Sequence, residues 1–184
     1  NYASEYAVTK LSSVRNGNEQ TLVIGKREGA YKDMPLARPF KVKVLSSLIP
    51  QSVTVNGHPA KYHYSGEDFA LLIDVPAQAC DQEKVVKIVY PSEKVDLNGL
   101  LGASRRIAKS MEQLKYRNSY IVFKEEFGKM GSLSEAVTYA PSEMPALIAD
   151  FWKSYNELPA VLERQGMKSD LATWFLQSVC WSKR

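Results

Sequence analysis

The chain has 184 residues, of which 45% are hydrophobic and 24% are charged, and its net charge is +4. This composition is ordinary for a globular protein and excludes intrinsically disordered and collagen-like classes. The length is sufficient for one large or two small domains. The positive residues are spread along the sequence, so the charge gives no indication of nucleic-acid binding, and no apolar run approaches the length of a membrane span.

The two cysteines, Cys80 and Cys180, lie in different halves of the sequence and each is surrounded by residues typical of a core. They are therefore predicted to be buried free thiols and not part of a disulfide framework. The sequence begins at Asn1 instead of a methionine, and strand-like residues follow almost at once. We interpret the chain as the C-terminal part of a larger polypeptide, so the lack of a signal peptide says nothing about localisation.

Residues 1–92 show the period-two alternation that is typical of half-buried strands. Phe40, Val42 and Val44 point to one face, while two lysines alternate with them. The Asn56-Gly57 step between two such segments predicts a tight hairpin, because both residues tolerate positive φ. Further strands are predicted in residues 6–15, 21–26, 52–55, 60–64, 69–75 and 84–90. Seven short strands without an intervening helix indicate an antiparallel β-sandwich.

This half of the chain also resembles the distal C-terminal β-sandwich of glycoside hydrolase family 31, which contains α-glucosidases and α-xylosidases. The residues that carry the resemblance are Gly29, Tyr31, Met34, Arg38 and Phe40, followed by the hairpin residues Val55, Asn56 and Gly57. In that family the sandwich follows a catalytic (β/α)₈ barrel and a proximal β-sandwich.

The resemblance implies that the catalytic aspartates lie on the barrel, and no stretch of this chain matches their motifs. No catalytic residue, cofactor site or metal site is therefore assigned, and the chain alone is expected to hydrolyse nothing. The implied partners are the catalytic and proximal domains of the parent α-glycosidase. Bacterial members of the family are often exported, so the resemblance favours a periplasmic or secreted location.

Residues 93–184 are predicted to form a small α-helical bundle. The first helix is expected to begin at a cap formed by Asp96 or Asn98. Its apolar residues fall on one face of a helix. They are Leu97, Leu100, Leu101, Ile107, Ala108, Met111 and Leu114.

Further helical segments are predicted in this half, which give it four or five short helices in all. The second lies within residues 119–127 and ends at a following glycine, and the third begins at an N-cap formed by Ser142 and buries a stripe that includes Phe151. Gly166 is predicted to end a helical stretch at residues 161–165. Ser169 or Asp170 is predicted to form the N-cap of the last helix.

The polar residues do not assemble into a recognisable site. His58 and His63 are the only histidines, and no further ligands accompany them at metal-site spacing. Glu125 and Glu126 are adjacent on a predicted helix, so their side chains diverge by about 100° and do not converge on one glycosidic bond. The histidines are therefore not assigned to a metal site, and the glutamates are interpreted as a solvated helix face.

Three aromatic residues are the candidate contacts for a sugar or for an interface. Tyr62 and Tyr64 share one face of a predicted strand, and Trp152 lies beside the main apolar stripe of its helix. Sugar rings stack on exposed aromatic faces, and exposed apolar patches also mark protein partners.

The resulting hypothesis is a non-catalytic accessory region that supports the barrel of a family 31-like enzyme. One alternative is a carbohydrate-binding module that holds α-glucan. Another is a protein-interaction or oligomerisation module that binds a second subunit.

Overall fold

The computed structural model describes residues 6–91 and 95–184. They form two compact units, one of residues 6–65 with 70–91 and one of residues 66–69 with 95–184. The first unit is built from strands and the second mainly from helices, which confirms the predicted fold class. The predicted domain boundary between residues 92 and 93 lies outside the described residues.

The first unit contains two antiparallel sheets. The strands are β1 (Ala7–Asn16), β2 (Glu19–Gly29), β3 (Ala37–Val44), β4 (Ser52–Val55), β5 (His58–Pro59), β6 (Tyr62–Ser65), β7 (Ala70–Ala79) and β8 (Lys84–Val89). The strand orders are β1-β2-β8-β4-β5 and β3-β7-β6, and the described strand pairs are all antiparallel.

Alternating residues of the central strands form the core of the sandwich. In β7, Leu71, Ile73 and Val75 are buried, and in β8, Val86 and Ile88 are buried. A residue and its second neighbour share one face of a strand, so these two rows line the inner faces of their sheets. The predicted alternation is therefore confirmed where the strands are central.

The hairpin predicted at Asn56-Gly57 is also confirmed. Both residues have positive φ, 50° and 81°, and Val55 pairs with His58 across the turn. This geometry belongs to a type I′ turn, which matches the twist of the flanking strands. The hairpin adds the short strand β5, so the described part of the chain has eight strands where seven were predicted.

The second unit contains six α-helices and one short 3₁₀ turn within its described residues. The helices are α1 (Leu100–Arg117), α2 (Glu125–Gly131), α3 (Ala136–Tyr139), α4 (Met144–Asn156), α5 (Leu158–Arg164) and α6 (Ser169–Ser178). The predicted stripe of α1 is buried at Leu100, Ile107, Met111 and Leu114. Of the described helices, none is both long and apolar enough to cross a membrane.

The second helix occupies only the last part of its predicted segment, residues 119–127, and it ends at Gly131, one of the glycines predicted to end it. Helix α2 begins at Glu125, and most of the residues between Asn118 and Lys124 are irregular. Ile121, Val122 and Phe123 are β-branched or aromatic and lose side-chain freedom in a helix, which accounts for the late start.

The predicted N-caps were also wrong. Gly99 caps α1 with φ of 69°, and the Asp96 carboxylate instead accepts a hydrogen bond from the backbone N–H of Asn98 at 2.9 Å. Ser142 lies in the 3₁₀ turn Pro141–Glu143, and α4 begins at Met144. Proline fixes the φ of the residue that starts this turn, so the backbone has already curled before the predicted cap.

The last helix likewise lacks its predicted side-chain cap. Lys168 occupies the N-cap position of α6, and Ser169 is the first helical residue. The cap of the preceding helix was predicted correctly, because Gly166 has φ of 79° and its N–H donates to the carbonyl of Glu163. Glycine reaches this left-handed conformation without a steric cost, which ends α5.

The two cysteines differ in their environments. Both are free, and Cys80 is buried as predicted, whereas Cys180 is exposed. Cys180 has φ of 50° just after α6, and this turn directs the next residue, Trp181, toward the carbonyl of Tyr155, to which its indole donates at 2.7 Å. The prediction that Cys180 is buried was therefore wrong, and it is the indole of Trp181 that turns toward α4.

Candidate functional site

Tyr62 and Tyr64 lie on one face of β6, and that face is the inner face of the sheet. Tyr62 pairs with Ile73 and Tyr64 pairs with Leu71, and both partners belong to the core of the sandwich. Residues that are directly opposite in an antiparallel pair share one face. Tyr62 lies near the open edge of the sheet and remains 41% exposed, whereas Tyr64 is largely enclosed.

The hydroxyl of Tyr64 is engaged in a polar network inside the sandwich. It donates to the backbone carbonyl of Ser47 at 2.6 Å, and the Ser47 hydroxyl is 3.1 Å from the hydroxyl of Tyr90. Tyr90 in turn donates to the Gln20 side chain at 3.0 Å. Burial raises the pKa of the Tyr64 hydroxyl above its ordinary value, and the neighbouring Tyr90 raises it further. This tyrosine is therefore a structural residue of the sandwich.

Trp152 is buried and does not present its ring as an open platform. Only 9% of the residue is exposed, and its indole N–H donates to the backbone carbonyl of Asp96 at 2.6 Å. The guanidinium of Arg184 lies 4.0 Å from the ring centroid and also forms an ion pair with Asp96 at 3.3 Å. The ring is covered because the C-terminal residues, Arg184 among them, fold back over this side of α4.

The histidines and glutamates singled out in the sequence are separated or already paired. His58 and His63 are exposed on β5 and β6. Glu125 pairs with Lys129 at 2.5 Å, and Glu126 receives two hydrogen bonds from Arg164. Within residues 6–91 and 95–184, no group of three or more His, Cys, Asp or Glu side chains is placed to hold a metal ion.

Strand β1 presents an apolar surface at the edge of the five-stranded sheet. Leu11 pairs with the buried Ile24, which in turn pairs with the buried Lys84, so Leu11 lies on the core side of the sheet. Leu11 is nonetheless 72% exposed, and Val14, on the opposite side, is 65% exposed. The three-stranded sheet therefore leaves the core side of β1 open. Of the described strands, only β2 pairs with β1. We refer to Leu11, Val14 and the backbone edge between them that faces away from β2 as the β1 edge surface.

The backbone of β1 offers hydrogen-bonding groups along this edge. Asn16 pairs with Glu19 across a two-residue turn, and such a closing pair exchanges hydrogen bonds. Hydrogen-bonded and non-hydrogen-bonded pairs alternate from there, so the N–H and C=O groups of Leu11, Ser13 and Arg15 point away from β2. A long edge of this kind is a template for pairing with another strand.

The helical unit contains a groove of about 900 Å³ between α2, the α3 region, α4 and α5. We call it the charged groove. Its floor includes Met130, Leu133 and Phe151, each of which is almost completely buried. Charged side chains form most of its walls, and Tyr139 lies at the rim with 67% of the residue exposed. A volume of this size is within the range of ligand pockets in proteins.

The charges of the groove are sorted into two poles. At the acidic pole, Lys129 is surrounded by carboxylates, because the hydrogen bond with Glu125 and the negative charges of Glu125, Asp150 and Glu143 all raise its pKa. Three acids and one base give this pole a formal charge of −2.

At the basic pole, cations surround the carboxylate of Glu126. Arg164 binds both of its oxygens, at 3.0 and 2.8 Å, and the charge of Lys153 acts on the same group. These contacts lower the pKa of Glu126, the Arg164 hydrogen bond most of all. Lys124 also lies at this pole, where it donates to the backbone carbonyl of Arg164. The three bases Lys124, Lys153 and Arg164 and the one acid Glu126 give the pole a formal charge of +2.

Sequence reasoning missed both surfaces as well as two exposed tyrosines. Tyr116 and Tyr120 are 84% and 92% exposed near the end of α1. Their exposure could have been predicted from the sequence, because they lie in a polar stretch without apolar periodicity. The exposure of Leu11 carried no such signal, because an alternating strand looks the same whether or not a second sheet covers it.

No protein-family model, curated protein or solved structure matches the chain.

Proposed function

We propose that this chain is a non-catalytic accessory region of a larger enzyme that resembles the family 31 glycoside hydrolases. In this proposal the β-sandwich packs against another part of the enzyme through the β1 edge surface. The helical unit packs on other parts of the enzyme or on a second subunit. The resemblance of residues 29–40 motivates the choice of family, and the exposure of β1 is the observation that carries the docking role.

The residues that carry the family resemblance help to shape and hold the sandwich, which fits an accessory role. Gly29 has φ of 87°, and a Cβ added there would clash with the backbone carbonyl oxygen of Tyr6. The guanidinium of Arg38 lies 4.6 Å from the ring centroid of Phe40. The connection between β2 and β3 is further held by Arg27, which donates to the carbonyl of Pro35 at 2.6 Å.

The β1 edge surface supports docking because it combines apolar side chains with unpaired backbone. Covering a leucine that is as exposed as Leu11 would contribute roughly 1–2 kcal/mol to an interface. The outward N–H and C=O groups of Ser13 and its neighbours would be satisfied at the same time by a strand added to the sheet.

Hydrogen exchange tests this proposal directly. The polypeptide that carries this sequence is purified from its source, and the exchange of peptides covering β1 is compared with that of the 184-residue chain alone. We expect slower exchange of Leu11, Ser13 and Arg15 in the source polypeptide, because their outward amides become paired. Equal exchange in the two samples would overturn the docking role of β1.

A carbohydrate-binding module is the second candidate, and the exposed tyrosines favour it. Tyr116 and Tyr120 present ring faces of the kind on which sugars stack, and Tyr62 remains partly open at the edge of β6. Calorimetric titration with a soluble α-glucan tests this candidate. Saturable heat that is lost on Tyr120→Ala would support it, and the absence of saturable heat would exclude α-glucan as the ligand.

An oligomerisation module is the third candidate, because the β1 edge could pair with its own copy. Sedimentation of the isolated chain separates this from docking within one enzyme. A concentration-dependent dimer that is abolished by Leu11→Ser would favour oligomerisation. A monomer at all concentrations would leave the accessory role as the better account of β1.

A further inference from the structure

We propose that the charged groove binds a short zwitterionic peptide of about three residues, with its ammonium group at the acidic pole and its carboxylate at the basic pole. This site is independent of the β1 edge surface and of the proposed accessory role. It rests on the separation of charge in the groove, on its length and on its apolar floor.

The separation of charge selects a dipolar ligand. Formal charges of −2 and +2 at the two poles cancel over the groove as a whole. A simple anion would meet the carboxylates of Glu143 and Asp150, and a simple cation would meet Arg164 and Lys153. A ligand with one charge of each sign can complement both poles, and this complementarity would also fix its orientation.

The length of the groove accommodates a short peptide. Asp150 of the acidic pole lies three residues before Lys153 of the basic pole on α4, and Glu143 lies ten residues before it, in the 3₁₀ turn that precedes the helix. With a rise of about 1.5 Å per residue, these two carboxylates lie about 5 and 15 Å from Lys153 along the helix axis. An extended chain of three residues spans about 10 Å, which lies within this range.

The floor of the groove accounts for the side chain that the ligand would carry. Met130, Leu133 and Phe151 are buried to within a few per cent, so the floor offers a small apolar area and not a long hydrophobic channel. One aliphatic side chain in the middle of a tripeptide would cover this area. The ring of Tyr139 at the rim is available to the peptide backbone or to a flanking side chain.

Calorimetric titration of the whole chain with the tripeptide alanyl-leucyl-alanine tests the proposal. The N-acetylated and C-amidated forms of the same peptide each lack one terminal charge. We expect saturable binding of the free peptide and about fivefold weaker binding of each blocked form, which is the upper range for a solvent-exposed ion pair. Equal binding of all three peptides, or no saturable binding of any, would overturn the proposal.

Two variants assign the ends of the peptide to the poles. Asp150→Asn should weaken the free peptide but leave the N-acetylated form unchanged, because that form has no ammonium group to lose a partner. Lys153→Gln should weaken the free peptide but leave the amidated form unchanged. Asp170→Asn and Lys168→Gln are the matched controls, since these exposed charges do not line the groove. If maltotriose bound as tightly as the free peptide, or if the controls had the same effect as the variants, the inference would be wrong.

Discussion

Removing the hydroxyl of Tyr64 should weaken the sandwich at neutral pH and strengthen it at high pH. In the variant Tyr64→Phe the carbonyl of Ser47 loses a hydrogen bond of 2.6 Å. A buried hydrogen bond of this kind contributes about 1 kcal/mol to the free energy of unfolding. For a unit of this size the melting temperature should fall by roughly 4–8 °C.

The sign of the pH dependence follows from the direction of the pKa shift. Burial raises the pKa of Tyr64 in the folded state, whereas in the unfolded state it is about 10. The stabilisation from the neutral hydroxyl is therefore complete below about pH 10 and is lost as the pH rises toward the folded pKa. Above about pH 10 the free energy of unfolding of the unmodified chain should fall by about 1.4 kcal/mol per pH unit because of this group. The variant Tyr64→Phe has no hydroxyl at this position, so its stability does not fall for this reason. The two stability curves should therefore cross near pH 11, because about 1 kcal/mol is offset within roughly one pH unit.

Urea unfolding between pH 8 and 11.5, followed by far-UV circular dichroism, measures both effects. Tyr62→Phe is the matched control, since this residue lies two positions away on the same strand and is 41% exposed. We expect its free energy of unfolding to stay within about 0.5 kcal/mol of the unmodified chain, as is usual for surface substitutions. A difference between Tyr64→Phe and the unmodified chain that stays constant up to pH 11.5 would refute the reasoning.

Two further predictions concern packing in each unit. Lys84→Met should destabilise the sandwich by about 2 kcal/mol in urea unfolding, because the buried ammonium donates to two backbone carbonyls at 2.5 and 2.6 Å. An unchanged or higher stability would contradict this prediction and show that the desolvation cost of the buried charge dominates. Gly128→Ala in α2 should raise the stability of the helical unit by about 0.5–1 kcal/mol, since the new Cβ makes only ordinary contact. Gly131→Ala should gain less or lose stability, because its Cβ would lie 2.6 Å from a methionine sulfur, and equal thermal shifts for the two variants would contradict this difference.

The sequence was sufficient to predict the elements that depend on local rules. The alternation around Phe40 and Ile73 identified strands, and Asn56-Gly57 identified a hairpin, because the backbone geometry of a strand or a tight turn is set by neighbouring residues. The rows of apolar residues in α1 identified a buried face for the same reason. Each of these features is present in the structure.

The candidate contacts could not be located from the sequence, because burial depends on residues far along the chain. The pattern of Tyr62 and Tyr64 showed that they share a face, but only pairing with Ile73 and Leu71 shows that this face is the inner one. Trp152 lies beside an apolar stripe in sequence and is covered by the C-terminal Arg184.

The charged groove illustrates the same limit for charges. Its poles combine residues of α2, the α4 region and α5 that are separated by up to about forty positions. Glu125 and Glu126 looked like neighbouring surface carboxylates in the sequence, and the fold gives each of them a different cation. Local patterns carry no information about such pairings.

We propose that this chain is an accessory region of a larger glycosidase, and the native size of its polypeptide tests this proposal most directly. An antibody raised against the 184-residue chain captures the polypeptide from source cells, and its mass and its activity on aryl α-glycosides are measured. We expect a polypeptide several times heavier than 20.7 kDa that hydrolyses these substrates. A captured protein of about 20.7 kDa, or a larger one without glycosidase activity, would contradict the account.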